Sequence, residues 1–169
     1  AAEDFDNFGA SFATGNFNGD SFDDLAIGVP GENDSEGAVN ILYGSSSGLQ
    51  GSSPDDQYIS QDTTGVEEVG EDGDNFGASL AAGDFNGDGK KDIALGVVSK
   101  DGELLQYYSL FVYTATSDNN YSVLDAVDIY NYKSYTETST KAGDVDNDGR
   151  DEILVNTGTL FYIMKFDNA

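Results

Sequence analysis

The chain has no cysteine, no histidine and no tryptophan, only 2 prolines, and 7 basic residues against 32 acidic ones. Without cysteine there is no disulfide framework, no thiolate chemistry and no thiol clue to compartment. Without histidine the Ser-His-Asp triad, the Cys-His dyad and the ordinary catalytic zinc sites are excluded together. No apolar run approaches the ~20 residues of a membrane-spanning helix. The first basic residue is Lys90 and the net charge is −25. Such a surface repels the phosphates of nucleic acids and anionic membranes, so neither is expected as a partner. An opening of Ala1-Ala2-Glu3-Asp4 without Met is what either cleavage at an Ala-x-Ala signal site or trimming of a longer chain would leave, and an extracellular or cell-surface location is the expectation.

What is present is glycine, acid and short apolar runs. With 38% hydrophobic residues the chain is not compositionally disordered despite its charge. Apolar runs punctuated by its 21 glycines predict an all-β domain.

The most informative stretch is Gly83-Asp84-Phe85-Asn86-Gly87-Asp88-Gly89-Lys90-Lys91-Asp92, followed by Ile93-Ala94-Leu95-Gly96. Oxygen side chains stand at alternate positions, Asp84, Asn86 and Asp88, and again at Asp92. A tightly turning chain can aim alternate side chains inward, and calcium takes six to eight oxygen ligands at roughly 2.3–2.6 Å. Two carboxylates ~4 Å apart repel by on the order of 4 kcal/mol at an effective dielectric near 20, so the loop calls for a cation. An EF-hand would need a bidentate Glu at position twelve and flanking helices. Position twelve is Leu95, inside a β-branched run that reads as a buried strand. The stretch is therefore a nine-residue cation loop between two strands, with side-chain ligands at positions one, three, five and nine and a backbone carbonyl at seven.

The segment from Asp74 to Asp88 has an earlier copy from Asp6 to Asp20, and the match continues through Asp24-Leu25-Ala26-Ile27-Gly28. A third, diverged copy runs from Ala142 to Leu154. Strands are predicted over 10–14, 25–29, 38–43 and 57–60, then 80–82, 93–98, 109–113 and 123–130, then 141–143, 153–156 and 160–164. Four strands per unit, repeated, is a β-propeller blade. The fold class is thus all-β: propeller-like blades of four antiparallel strands, two complete and most of a third. Blade one is expected at about residues 6–62, blade two at about 74–131 and a partial blade three at about 132–169, within a single repeat region over 1–169. The acidic connector from Asp62 to Asp74 reads as a solvated loop, with a further cation site as its alternative.

These residues resemble the FG-GAP repeats of the integrin α-subunit β-propeller and of bacterial surface proteins. Phe8-Gly9 goes with Gly28-Val29-Pro30, and Phe76-Gly77 with Gly96-Val97-Val98. The resemblance implies Ca2+ in up to three loops on one face of the blades, with ligands met on the opposite face. The implied metal residues are Asn16, Asn18, Asp20, Phe22 through its carbonyl, and Asp24. They recur as Asp84, Asn86, Asp88, the Lys90 carbonyl and Asp92, and as Asp144, Asp146, Asp148, the Arg150 carbonyl and Glu152. Asn16 removes a charge, which makes the first site the weakest. Ser21 stands where the other loops have Gly89 and Gly149, which predicts strain or a different turn.

Family propellers usually close with seven blades, so open blade faces are expected here, to be met by other blades in the same or another chain, or by self-assembly. The expected function is a calcium-stabilised adhesion or binding module presenting loops to a protein or glycan, with an architectural subunit of an extracellular assembly as the alternative. A hydrolase built on Asp23-Asp24, Asp55-Asp56 or Glu67-Glu68 is disfavoured, because neighbours on a strand point to opposite faces. No enzymatic role is expected. Tyr107, Tyr108, Tyr113, Tyr130, Tyr132 and Tyr135 read as blade packing, with a sugar-stacking surface as the alternative.

Overall fold

A computed structural model describes residues 5–51, 56–63, 69–101, 105–117, 120–130, 139–156 and 161–165, with the backbone alone described at 96–101, 105–109, 111, 115–117 and 120–130. Eleven strands form three antiparallel sheets among these residues. The first holds β1 (Ser11–Gly15), β2 (Asp24–Val29), β3 (Ala38–Leu42) and β4 (Asp56–Ile59), in that order. The second holds β5 (Ser79–Gly83), β6 (Asp92–Asp101), β7 (Leu105–Ser117) and β8 (Asn120–Tyr130). The third holds β9 (Ser139–Gly143), β10 (Glu152–Asn156) and β11 (Phe161–Met164). This is an incomplete propeller, two blades of four strands and most of a third.

The repeat dictates the register. Ser11 pairs with Gly28 and Gly15 with Asp24 in the first blade; Ser79 pairs with Gly96 and Gly83 with Asp92 in the second. Every predicted strand is present, and the outer strands of the second blade run longer than their apolar stretches. The missing signal is physical: Tyr107↔Tyr130 and Ser99↔Tyr107 pair through backbone groups that composition does not reveal. One element had no signal at all, a turn over Glu32–Ser35 (α1) in which Asn33, Asp34 and Ser35 have φ of 50°, 55° and 70°. Glu67, Glu68, Asp55, Leu160, Tyr132 and Tyr135, all named above, lie outside the described residues, as do the side chains of Tyr107, Tyr108 and Tyr130.

The core lies between blades. β1 packs against β5 and β5 against β9, so the first strands of the three sheets lie side by side. One apolar cluster joins Phe17, Val39, Ile41 and Ile59 of the first blade to Phe76, Leu80, Ile93 and Tyr113 of the second. Another joins Phe85, Leu110 and Val112 to Ile153 and Val155 of the third. Tyr113 is buried in the first cluster, edge-on to Phe76 at 6.3 Å, which makes it packing and not a sugar platform. The Phe-Gly pair has a matching reason. Ser11 Oγ donates to Gly77 O at 2.6 Å, and a Cβ on Gly28 would stand 2.0 Å from that same oxygen, so the Phe-Gly of one repeat docks on a side-chain-free surface of the repeat before it.

Candidate metal centres

Each candidate loop joins the first two strands of its sheet, so all three loops sit at the same end of the blades. Position one closes the turn. Asn16 Oδ1 accepts from Gly19 N at 2.7 Å; Asp84 accepts from Gly87 N at 2.7 Å and Gly89 N at 2.9 Å; Asp144 accepts from Asp148 N at 3.1 Å and Gly149 N at 3.0 Å. Positions three and five repeat the device two residues on. Asn18, Asn86 and Asp146 accept from the N–H of position five, and Asp20, Asp88 and Asp148 from that of position seven, at 2.7–3.1 Å. These short-range bonds curl the chain and turn successive side-chain oxygens toward one interior. Phe22, Lys90 and Arg150 enter this network through their N–H groups.

Position nine differs from the others in being buried: Asp24, Asp92 and Glu152 are sealed from solvent. Asp24 Oδ2 accepts from Phe17 N at 2.7 Å, Asp92 Oδ2 from Phe85 N at 3.0 Å and Glu152 Oε2 from Val145 N at 2.9 Å. Burial pushes the Asp92 carboxyl up to about 6, against hydrogen bonds from Thr114 and the N–H groups of Phe85 and Asn86. Burial likewise raises Asp24, against the N–H groups of Gly44, Phe17 and Asn18. A cation beside a carboxylate desolvated in this way favours its charged form.

In the third loop Asp144, Asp146 and Glu152 each offer an oxygen within 4.8 Å of the others. Glu152 Oε1 is buried without a hydrogen-bond partner. The longer glutamate therefore still brings an oxygen to the group, and an all-oxygen donor set with an orphaned carboxylate oxygen fits a hard divalent ion. Lys165 adds a feature that local sequence did not reveal. Its ammonium bridges Asp146 Oδ2, at 2.7 Å, and Asp148 Oδ2, so a side chain from beyond β11 stands where positive charge is wanted. The Lys165 hydrogen bond holds the Asp148 carboxyl below its ordinary value, and the pair raises Lys165.

The loops are also linked from blade to blade. Lys91 N donates to Asn16 O at 3.3 Å, and Asp151 N to Asp84 O at 3.0 Å. Asp151 Oδ2 accepts from Asp84 N at 2.9 Å and from Lys91 Nζ at 2.7 Å. Burial opposes ionisation of Asp151, but the Lys91 ammonium and the Asp84 N–H outweigh it and hold the carboxyl low.

Among known families, residues 8–42 and 76–102 match the FG-GAP repeat. The chain carries FG-GAP repeats. The two matched FG-GAP segments are those that keep both the Phe-Gly pair and the oxygen-rich loop; the third loop lies outside the match. Rat phosphatidylinositol-glycan-specific phospholipase D is 30% identical over 152 residues, 86% of this chain and 18% of the relative. Xenopus laevis integrin alpha-5 is 28% identical over 164 residues, 92% of this chain and 14% of the relative. Mouse integrin alpha-M is 38% identical over 92 residues, 53% of this chain and 7% of the relative. The chain spans less than a fifth of the length of each of these relatives. Among the described residues no helix is long and apolar enough to cross a membrane.

Proposed function

We propose that this chain is a calcium-stiffened segment of an extracellular β-propeller that presents its loops to a protein or glycan partner. The observation that carries the reading is the threefold oxygen loop at one end of successive blades, with its buried acid at position nine in every copy. Integrin alpha chains among the relatives support an adhesion-type setting. The proposed ligands are those named by the repeat: Asn16, Asn18, Asp20 and Asp24; Asp84, Asn86, Asp88 and Asp92; Asp144, Asp146, Asp148 and Glu152; and the carbonyls of Phe22, Lys90 and Arg150. Calcium here is structural. It neutralises the carboxylates and holds the hairpin whose strands carry the blade, which couples metal binding to folding. Partner contact falls to the opposite end, where β2 turns into β3 and β4 runs on toward β5.

Thermal melts with calcium and with chelator test this. A loop saturated a hundredfold above its Kd contributes about 2.7 kcal/mol, and a domain of this size shifts about 2–4 °C per kcal/mol. Chelation is expected to lower Tm by on the order of 5–10 °C for each occupied loop; an unchanged melt overturns the reading.

A second reading, an architectural unit completed by other blades, rests on the two outer faces. Phe8 and Phe12 are 65% and 59% exposed, while their counterparts Phe76 and Leu80 are buried against the first blade. Val145 is 50% exposed, while its counterparts Phe17 and Phe85 are buried against the following blade. Each outer face is the surface by which an inner blade meets its neighbour, and further FG-GAP blades, from the same or another chain, are its proposed partners.

A further inference from the structure

Two steps in the chain join an asparagine to a glycine, Asn18-Gly19 and Asn86-Gly87, and both stand at positions three and four of an oxygen loop. Such a step is prone to close on itself, because a glycine nitrogen reaches the asparagine Cγ with no Cβ of its own residue in the way. The residues around the two steps are the same, Phe17-Asn18-Gly19-Asp20 and Phe85-Asn86-Gly87-Asp88. Any difference in their chemistry is therefore made by the fold.

In both loops the glycine nitrogen is tied back alike: Gly19 N donates to Asn16 Oδ1 and Gly87 N to Asp84 Oδ1, each at 2.7 Å. The asparagine oxygens also match, Asn18 Oδ1 accepting from Asp20 N at 3.0 Å and Asn86 Oδ1 from Asp88 N at 2.8 Å. The amide nitrogens differ. Asn86 Nδ2 donates to Thr114 Oγ1 at 2.8 Å, on β7, whereas Asn18 Nδ2 donates to Asp20 Oδ2 at 3.2 Å, exposed and two residues away. In the first blade the register of Thr114 belongs to Tyr43, whose hydroxyl donates to Gln57 Oε1 at 2.8 Å. The Asn86 amide is thus anchored to a strand outside its loop, and the printed bonds of the Asn18 amide stay within its own.

We propose that Asn18 is a self-modification site of the first loop, converting to aspartyl and isoaspartyl residues, and that Thr114 shields its twin Asn86. The Gly19 nitrogen gives up its proton to solvent base and bonds to Asn18 Cγ; the Cγ–Nδ2 bond breaks and the amide leaves as ammonia. Water then opens the succinimide at either carbonyl, so the balance is one water taken up and one ammonia released. The aspartyl product adds a carboxylate where the first loop is short of one: Asn16, Asn18, Asp20 and Asp24 hold two, and Asp84, Asn86, Asp88 and Asp92 hold three. The third loop shows that the new side chain fits, since Asp146 Oδ1 accepts from Asp148 N at 3.1 Å just as Asn18 Oδ1 accepts from Asp20 N. The isoaspartyl product instead routes the backbone through the side-chain carbon, and the alternate spacing of the oxygens is lost. The conversion does not depend on calcium; its effect on binding rests on the calcium reading of the loops.

Incubation of the full chain in chelator at mildly alkaline pH, followed by proteolysis and mass spectrometry of the two peptides, tests it. Asn18 is expected to convert on the order of fivefold faster than Asn86, the factor that one ordinary hydrogen bond carries. In urea, with the fold gone, the two rates are expected to be equal. Thr114→Val is expected to bring Asn86 up to the rate of Asn18. Equal rates in the folded chain, the same inequality in urea, or an unmoved Asn86 in Thr114→Val overturns the proposal. Calcium calorimetry on Asn18→Asp reads the consequence separately: tighter binding at one site supports it, and no gain overturns the effect on binding, while the rates alone decide the modification.

Discussion

At the residue scale, the loops differ most at position six. Gly89 and Gly149 have φ of +87° and +94°, and Ser21 takes the same left-handed region at +108°. The turn is therefore conserved in shape and strained in the first copy, which decides between the two outcomes the sequence left open. Such strain costs about 1–3 kcal/mol, offset by about 0.5–1 kcal/mol of added unfolded-state entropy when glycine is introduced. Ser21→Gly is expected to stabilise the chain by on the order of 1 kcal/mol, read as a higher denaturant midpoint at unchanged m-value. At position four Asn147 has φ +61°, where the other loops have Gly19 and Gly87; asparagine tolerates that region, so no equivalent gain is expected there. Lys165→Met removes the ammonium that competes for Asp146 and Asp148, and should tighten calcium binding at the third loop by a factor of a few in calorimetry.

At the element scale, the glycine that ends the first strand of each blade shows what the next blade demands. A Cβ on Gly15 would meet Lys91 Cβ at 2.8 Å, and one on Gly83 would meet Asp151 Cβ at 2.8 Å and Phe85 Cε1 at 2.5 Å. On Gly143 it would meet nothing within 4 Å. Gly83→Ala is expected to destabilise by about 1–3 kcal/mol through overpacking. Gly143→Ala is expected to cost little, as an end-of-strand position without a neighbour. Comparing their chemical melts checks the pair, and equal costs would mean that blade contact is not the reason for the glycine.

For the whole molecule, the same asymmetry governs both ends. Phe8 and Phe12 face outward at one end, and Val145, Phe161 and Ile163 at the other, at 50–65% exposure, whereas the inner counterparts of the first three are buried. Apolar faces of this kind mark interaction surfaces. Phe8→Ser with Phe12→Ser is expected to leave the melt within about 0.5 kcal/mol, as for surface substitutions, while reducing association in sedimentation at high concentration. Association equal to that of the unaltered chain would count against the architectural reading.

Much of this was legible in the chain because it is written in local periodicity. Alternating oxygens followed by a β-branched run specify a curled loop and then a strand through bonds between residues two to five apart, and repetition of the unit specifies a blade. The docking of Phe76-Gly77 on Gly28, the burial of Tyr113, the bridge from Lys165 to Asp146 and Asp148, and the bond from Gln61 to Asp74 depend on which segments the folded blades place side by side. Sequence by itself determined the three curled, oxygen-rich loops, since their hydrogen bonds are set within nine residues. Tertiary structure alone decided which oxygens are buried, because their partners come from segments far along the chain: Gly44 N closes on Asp24 Oδ1 and Gln61 Nε2 on Asp74 Oδ2, so acids of a kind that reads as solvated end up sealed from water.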